Sequence, residues 1–363
     1  MAKTFKHLYS QICEFDNIHR AYLKARRGKR YKRDILRFSA RLEESLIDVH
    51  NDLSWKSYTP GPYKLFTIHE PKERVIAALP FRDRVVHHAL CNIIEPIFER
   101  SMIYDSHACR RGMGVLTGVL RTTKFLRAAR RRWGRVYCLK MDVEKFFPSI
   151  DHDVLKRIIR RRIACPDTLS LIDMIIDSHT AGRGLPIGNL TSQLWANVYL
   201  NELDHFVKER LRVRYYIRYM DDVVVFDGDK ARLHAVLAEV RGFMAHVLRL
   251  RLNGKTQIFP VDQRCVDFLG YRIWPDYRLP RKANIRRNKR KFRKQCRQYL
   301  DGSAPLGVIL CSVASWIGHC KHADTWRLRR RVLSGMADVV TGGTTTGILP
   351  ELPGADDDKW EAA

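Results

Sequence analysis

The sequence lacks a segment long and apolar enough to cross a membrane. A spanning helix needs about 18 or more consecutive apolar residues, and no such run occurs. Residues 1–6 lead into no apolar core, so no secretory signal is predicted either. These absences predict a cytoplasmic protein.

Acidic residues are scarce relative to basic ones. The chain of 363 residues has 66 Lys and Arg against 39 Asp and Glu, which gives a net charge of +27. Such an excess repels itself unless a polyanion is the partner, and nucleic acid is the leading candidate. An anionic membrane is the alternative. Hydrophobic residues make up 45 % of the chain, which is typical of a folded protein.

The cysteines show no pairing pattern. Nine are present, an odd number, and no Cys-x-x-Cys occurs. This indicates reduced thiols in a reducing compartment. Cys311, His319, Cys320 and His322 lie close in sequence, but their spacing matches no common zinc site.

The most informative segment is residues 216–225, in which apolar and β-branched residues flank two adjacent aspartates. The alternation predicts a β-hairpin with Asp221 and Asp222 at its turn. A second strand-like run, residues 135–141, ends on Asp142. If the two strands are neighbours, three carboxylates meet at one sheet edge, where Mg²⁺ would suit them and Mn²⁺ is the alternative. The other interpretation is a solvated acidic turn.

The order of predicted elements favours such a neighbourhood. Helices are predicted over 33–52, from Asp83, after the N-cap Asp151, from Asn189 and over 233–248. Around the two aspartate segments the order is strand-helix-strand-strand-helix-strand. That order is typical of a ferredoxin-like α+β sheet, in which the Asp142 strand lies beside the hairpin.

Two segments are strongly basic. Residues 121–135 contain seven Arg or Lys with Phe125 and Trp133 interleaved, which predicts a nucleic-acid track through Arg127, Arg130 and Arg131. Residues 281–294 contain nine. The candidate phosphate contacts there are Arg286, Arg287, Lys289 and Arg290.

Together these segments resemble reverse transcriptases over roughly residues 20–330. Tyr219-Met220-Asp221-Asp222 resembles the YxDD box, and residues 142–147 the first aspartate motif. Lys255 resembles the later lysine motif, and Phe268-Leu269-Gly270 the primer grip. The resemblance implies a right-hand polymerase with fingers, a ferredoxin-like palm and a helical thumb. The predicted parts are N-terminal helices and fingers over 1–140, interleaved with a palm over 135–280, a basic thumb over 281–340 and a flexible acidic tail over 341–363.

The resemblance also implies residue roles. Asp142, Asp221 and Asp222, with the carbonyl of Val143, would hold two Mg²⁺ ions, and Lys255 would assist the leaving pyrophosphate. The dNTP contacts would be Lys72, Arg74, Phe147, Ile187 and Gly188, with Phe147 excluding a ribose 2′-OH. Phe268, Leu269 and Gly270 would hold the primer end.

One motif departs from the usual family pattern. Most reverse transcriptases have Gln-Gly-x-x-x-Ser-Pro where this chain has residues 187–193, with Ile187 for the first Gln and Gln193 for the Pro. This variant is similar to reverse transcriptases of diversity-generating retroelements. It implies copying of a template-repeat RNA into cDNA with errors at template adenines, beside a small, basic, oligomeric accessory variability protein. An apolar side chain selects only by shape, worth about 1–3 kcal/mol, so low fidelity is predicted.

Two alternatives stay open. The chain could be a group II intron, retron or defence reverse transcriptase. The short segment after the predicted thumb is expected to leave no room for the maturase and endonuclease parts of a full intron protein. A different class of protein, a catalytically idle RNA-binding scaffold, is disfavoured by the three aspartates.

Overall fold

The polypeptide divides after Arg264 into two units, residues 1–264 and 265–363. A computed structural model describes residues 4–69 and 73–341, with side chains to residue 336. Lys72 and the predicted acidic tail from residue 342 lie outside the described residues.

Helices surround the core of the first unit. They are α1 (Tyr9–Cys13), α2 (Phe15–Ala25), α3 (Arg33–Ala40), α4 (Leu42–Ser54), α5 (Phe81–Glu99), α6 (Val115–Trp133), α7 (Phe146–Ser149), α8 (His152–Arg160), α9 (Pro166–Asp177), α10 (Leu190–His205) and α11 (Lys230–His246). A π-helical turn, Phe206–Arg210, continues α10. The predicted N-cap is confirmed, since Asp151 Oδ1 accepts a hydrogen bond from Val154 N at 3.0 Å.

Two helix predictions need correction. The helix predicted over 33–52 is broken at Arg41, whose φ of −124° and ψ of 54° are not helical. Helix α5 begins at Phe81, two residues before the predicted start, with Pro80 as its N-cap. Proline fixes φ near the helical value, so it is well tolerated where a helix begins.

The sheets of the first unit confirm the ferredoxin-like prediction. The strands are β1 (Lys64–Ile68), β2 (Arg74–Ala78), β3 (Tyr137–Met141), β4 (Tyr215–Tyr219), β5 (Asp222–Asp227) and β6 (Gln257–Pro260). The last four form one antiparallel sheet in the order β4-β5-β3-β6. The split βαβ order therefore places β3 directly beside the hairpin β4–β5.

The sheet is covered by apolar helix faces. Val223 and Val225 of β5 and Leu139 of β3 belong to one buried core with Leu233 and Val240 of α11. The helical spacing of α11 and the two-residue spacing of β5 put these side chains on matching faces. This packing fixes the register, because a shift by one residue would turn the core side chains of a strand outward.

The second unit combines a small sheet with basic helices. Its elements are β7 (Val266–Phe268), β8 (Tyr271–Ile273), β9 (Arg278–Pro280), α12 (Lys282–Leu300), α13 (Leu306–Cys320) and α14 (Trp326–Thr341). The sheet order is β7-β8-β9. Residues 265–280, which the sequence assigns to the palm, fall in this unit because these strands bond to each other and not to the four-stranded sheet.

Two further findings bear on the sequence predictions. All nine cysteines are free thiols, as the absence of a pairing pattern indicates. Within residues 4–69 and 73–341, no helix combines the length and hydropathy that a membrane span requires.

Candidate active site

The hairpin predicted around the two adjacent aspartates is present between β4 and β5, but its turn lies one residue earlier than predicted, because Asp222 already begins β5. Tyr219 pairs with Asp222, so Met220 and Asp221 form the connection, here called the aspartate turn. Met220 has a φ of 56°. Bulky side chains rarely adopt this conformation, which costs on the order of 1–3 kcal/mol and persists only where the surroundings hold it.

Asp142 follows β3 at the same end of the sheet. Met141 pairs with Val223, so the next position along β3 continues toward Asp222. Asp142 is half-buried, as are Asp221 and Asp222. The pairing register therefore brings the three predicted carboxylates to one sheet edge.

A loop after α11 holds Asp142 in place. Asn253 N donates to the main-chain oxygen of Asp142 at 2.7 Å, and Asn253 Nδ2 donates to its carboxylate at 3.3 Å. Val143 forms an isolated bridge with Leu252. Lys255 N donates to Asn253 Oδ1 at 3.0 Å, and the Lys255 side chain is exposed. The predicted lysine is thus on the loop that touches the first aspartate.

A fully buried ion pair supports the aspartate turn from behind. Arg218 on β4 and Asp204 on α10 are both 0 % exposed, and Arg218 Nη2 lies 2.6 Å from Asp204 Oδ2. Arg218 Nη1 also donates to the main-chain oxygen of Met220 at 3.0 Å and to Asn197 Oδ1 at 3.1 Å. Tyr216 OH donates to Asp204 Oδ1 at 2.6 Å. Arg218 therefore links the strained residue of the turn to α10.

The electrostatics of this pair follow from its burial. Burial disfavours the charge on Arg218, but Asp204 and Tyr216 outweigh that effect and raise the pKa of the guanidinium. Burial, with the carboxylate of Asp204, raises the pKa of Tyr216 well above its usual value. The sequence patterns did not predict this network. Its signal was a single arginine inside an otherwise apolar strand, which requires a buried partner.

Lys140 is a second residue near the carboxylates that the sequence patterns did not predict. Its ammonium lies 3.6 Å from Asp222 Oδ1, and both side chains are largely shielded, 20 % and 27 % exposed. Lys140 sits on β3, and its cross-strand partner is Val224. A cation here offsets part of the repulsion among the carboxylates.

Residues 184–189, here called the 184–189 loop, include the predicted dNTP contacts Ile187 and Gly188 and touch a third, Phe147. Leu185 N donates to the main-chain oxygen of Phe147 at 2.9 Å, and Ala77 N donates to that of Ile187 at 3.0 Å. Gly188 has a φ of 123°, and a Cβ there would lie 3.0 Å from Ile76 Cγ2. Ile187 and Gly188 thereby lie beside β2, and Phe147 contacts the same loop at Leu185.

Arg74, another predicted dNTP contact, begins β2 of the β1–β2 hairpin. Arg74 is exposed and pairs with Ile68 at the tip end of β2.

The nucleic-acid track predicted on the basic helix α6 lies away from the aspartate edge of the sheet. Trp133 packs on Tyr215 at 5.5 Å between ring centroids, and Phe125 packs on the same ring at 5.4 Å. Tyr215 begins β4, roughly 13 Å of strand from Tyr219. Phe125 is 8 % exposed, so the prediction that it interleaves with bound nucleic acid is wrong: it belongs to the core. Arg127, Arg130 and Arg131 are exposed on the helix.

The predicted primer-grip residues form a hairpin turn of the second unit. Phe268 pairs with Tyr271, and the connecting residues Leu269 and Gly270 have φ of 52° and 88°. Two successive positive φ values define a type I′ turn, which matches the twist of the strands. On α12, Arg286, Arg287 and Arg290 are exposed and Lys289 is half-buried.

The donors at the aspartate edge suit a hard divalent cation. Asp142, Asp221, Asp222 and the carbonyl of Val143 supply oxygen only, the ligand type that Mg²⁺ prefers. Across the part of the chain that the structure describes, no group of three or more His, Cys, Asp or Glu side chains is arranged to hold a metal ion. The chemistry of the donors fits Mg²⁺, and the two-ion arrangement stays a prediction.

Comparison with known proteins gives the family. The family of reverse transcriptases (RNA-dependent DNA polymerases) matches residues 68–273, more than half of the chain. The chain therefore belongs to the reverse transcriptase family, and its right-hand polymerase fold, predicted from the motifs, is confirmed.

Similar proteins include intron-encoded ones. Protein YkfC of Escherichia coli (strain K12) is 28 % identical over 281 residues, which cover 64 % of this chain and 72 % of YkfC. Group II intron-encoded protein LtrA of Lactococcus lactis subsp. cremoris is 23 % identical over 341 residues, which cover 74 % of this chain and 55 % of LtrA. The chain thus spans about half the length of LtrA. A structure of apo telomerase from Candida tropicalis has a TM-score of 0.48 and 13 % identity, covering 62 % of this chain and 55 % of that one.

Proposed function

We propose that this chain is an RNA-directed DNA polymerase that copies a template-repeat RNA into cDNA, with errors concentrated at template adenines. The observation that carries the polymerase part is the shared sheet edge, where β3 delivers Asp142 beside the aspartate turn of β4–β5. The family match and the group II intron-type relatives support it. Template RNA, the RNA–cDNA duplex and dNTPs are its proposed partners.

The residues divide the work of nucleotidyl transfer. Asp142, Asp221, Asp222 and the Val143 carbonyl would hold two Mg²⁺ ions, which, when bound, stabilise the attacking and leaving oxygens of an in-line displacement. Lys255 assists the leaving pyrophosphate from its exposed position beside Asn253. Arg74 supplies charge for the triphosphate, and Lys72 is proposed to do the same. Phe147 excludes a ribose 2′-OH.

The mutagenic part of the proposal rests on the 184–189 loop. The main-chain oxygen of Ile187 accepts a hydrogen bond from Ala77 N of β2, and this bond does not involve the Ile187 side chain. An aliphatic side chain at this position selects a base pair by shape alone, worth about 1–3 kcal/mol. This supports low fidelity. The proposal places the chain in a diversity-generating retroelement, with a small, basic, oligomeric accessory variability protein as its partner. The bacterial relatives YkfC and LtrA support a cytoplasmic setting.

A second candidate is a group II intron-type reverse transcriptase. It is favoured by LtrA, whose alignment covers 74 % of this chain. The two candidates share the chemistry and differ in the distribution of errors along the template.

Primer extension on an RNA template tests both levels. Wild type should incorporate dNTPs, and Asp221→Ala should reduce this to background, while the exposed Asp48→Asn on α4 serves as the matched control. No incorporation by wild type, or equal activity in Asp221→Ala, would refute the polymerase. Sequencing the cDNA then separates the candidates, because errors spread evenly over all four template bases would exclude the mutagenic one.

A further inference from the structure

A basic cavity of about 790 Å³ lies within the second unit, between β8–β9, the first half of α12 and the start of α14. Its lining contains Arg or Lys at seven positions and an acid, Asp324, at one. The carboxylate of Asp324 already accepts a hydrogen bond from Arg278 N at 2.9 Å. A concave site with this charge excess favours an anionic ligand. Its volume falls within the roughly 300–1,000 Å³ of small-ligand pockets.

An exposed tryptophan stands in the wall of this cavity. Trp326 is the first residue of α14 and is 54 % exposed. The guanidinium carbon of Arg330 lies 4.7 Å from its ring centroid, so one partner already stacks on the ring. A planar ring that keeps this much surface in water is a platform for a nucleobase, and stacking is worth about 1–3 kcal/mol per base.

A buried donor also points to a ligand. Arg329 lines the cavity, and its Nε is buried without a hydrogen-bond partner among the residues that the structure describes. Leaving such a donor unsatisfied costs about 1–3 kcal/mol. Because arginine offers a planar fork of donors, a phosphate oxygen is the ligand group that it suits best.

Basic residues of α12 lie on different faces of the helix, and two pairs of them can be compared. Arg286 and Lys289 line the cavity, whereas Arg287 and Arg290, one position later, do not. Residues three apart share a helix face and residues one apart do not. The helix therefore presents one pair to the cavity and another pair of the same charge elsewhere.

We propose that this cavity binds an unpaired nucleotide of an RNA, with its base against Trp326 and its phosphate on Arg286, Lys289 and Arg329. A base within a duplex is stacked on both sides and offers no free face to the tryptophan, so a bulged or looped nucleotide is required. The proposal rests on the proposed function only in taking RNA as the partner. It adds recognition of an RNA structural feature, apart from copying the template.

Binding of matched RNA hairpins tests this site. The full chain is titrated, at one fixed salt concentration, into a fluorescent RNA hairpin with a single bulged nucleotide and into the same hairpin without the bulge. Wild type should prefer the bulged RNA by about tenfold, as expected for one stacked base. Trp326→Ala should bind both hairpins equally, and Trp326→Phe should keep the preference because it keeps a ring.

The two pairs on α12 are the charge-matched controls. Arg286→Ala/Lys289→Ala should weaken the bulged RNA more than the paired RNA, whereas Arg287→Ala/Arg290→Ala should weaken both by the same factor. Equal affinity of wild type for both hairpins, or a preference that survives Trp326→Ala, would overturn the proposal. A bulged DNA hairpin bound as tightly as the RNA would also overturn it. Primer extension by the same wild-type preparation reports the proposed activity separately, and the thermal midpoint shows that each variant is folded.

Discussion

The aspartate turn and the 184–189 loop, the two parts of the proposed active site, are held in different ways. Side chains hold the turn: Arg218, buried against Asp204, donates to the main-chain oxygen of Met220. Main-chain hydrogen bonds from Leu185 to Phe147 and from Ala77 to Ile187 hold the middle of the loop, and side-chain hydrogen bonds hold only its ends, at Gly184 and Asn189. The difference teaches that the carboxylate position depends on specific buried residues. At position 187, in contrast, the hydrogen bond comes from the main chain, so we expect the loop to keep its conformation when that side chain is changed.

The largest expected effect comes from Arg218→Met. This change leaves the Asp204 carboxylate buried without its cation and should lower the free energy of unfolding by about 3–5 kcal/mol. Arg218→Met/Asp204→Leu removes both charges and should recover most of that stability. It does not restore the donor to Met220, so kcat should stay about tenfold or more below wild type. Denaturant unfolding and steady-state primer extension measure the two effects.

If kcat recovers together with stability in the double variant, Arg218 has only a structural role. The aspartate turn would then not depend on Arg218 for its catalytic position. A KM for dNTP close to the wild-type value in the double variant is the accompanying signature of a positioning residue.

Gly188→Ala tests the loop through its backbone. A φ of 123° is unfavourable for alanine, and its Cβ would approach Ile76 Cγ2 to 3.0 Å and the Ala77 main-chain oxygen to 3.3 Å. The strain should cost about 1–3 kcal/mol and appear as a raised KM for dNTP. Gly242→Ala on α11, where a Cβ meets nothing within 4 Å, is the control and should leave KM unchanged. An unchanged KM in Gly188→Ala would show that the loop does not depend on this backbone conformation.

A pH effect is expected from the helix that follows the loop. His87 Nδ1 lies 2.9 Å from Thr191 Oγ1 near the start of α10, and burial lowers the pKa of His87 from 6.5 to about 3. Below pH 6.5, His87 takes up a proton in the unfolded chain but stays neutral in the folded chain. The free energy of unfolding therefore falls as the pH drops toward 3. The loss due to His87 should be about 2 kcal/mol at pH 5.

Unfolding of His87→Asn at pH 7.5 and pH 5 measures this contribution. The variant should lose less stability on acidification than wild type, by that amount. The exposed His234→Asn on α11 controls for the loss of a histidine as such. Equal acid sensitivity of His87→Asn and wild type would contradict the assigned burial effect.

The smallest effect in energy is expected from Ile187→Gln. A polar side chain here can hydrogen-bond near the nascent base pair, and misincorporation opposite adenine should fall by about tenfold, or 1.4 kcal/mol. Ile187→Leu keeps an apolar side chain and should keep the error rate. Sequencing of cDNA made in vitro measures both. An unchanged error rate in Ile187→Gln would show that this loop does not determine fidelity.

The sequence predicted the elements whose pattern is local. Alternation gave the hairpin around Asp221, and element order gave its neighbour Asp142, because a split βαβ sheet leaves few alternatives. Arg218 was not predicted, since its partner Asp204 lies on a different element and a lone arginine does not name its partner. Phe125 and Trp133 were assigned to a nucleic-acid track because of the charges around them. Their contact with Tyr215, which places them against the sheet, is visible only in the fold.

The central claim is that the turn sets the rate of chemistry and the loop sets the choice of nucleotide. Single-turnover incorporation of dTTP and of a wrong dNTP opposite a template adenine tests it most directly, in wild type, Ile187→Gln and Arg218→Met/Asp204→Leu. We predict that the Arg218 double variant slows both reactions by the same factor, while Ile187→Gln changes the ratio of right to wrong incorporation. A ratio that changes in the Arg218 double variant and stays constant in Ile187→Gln would contradict the account.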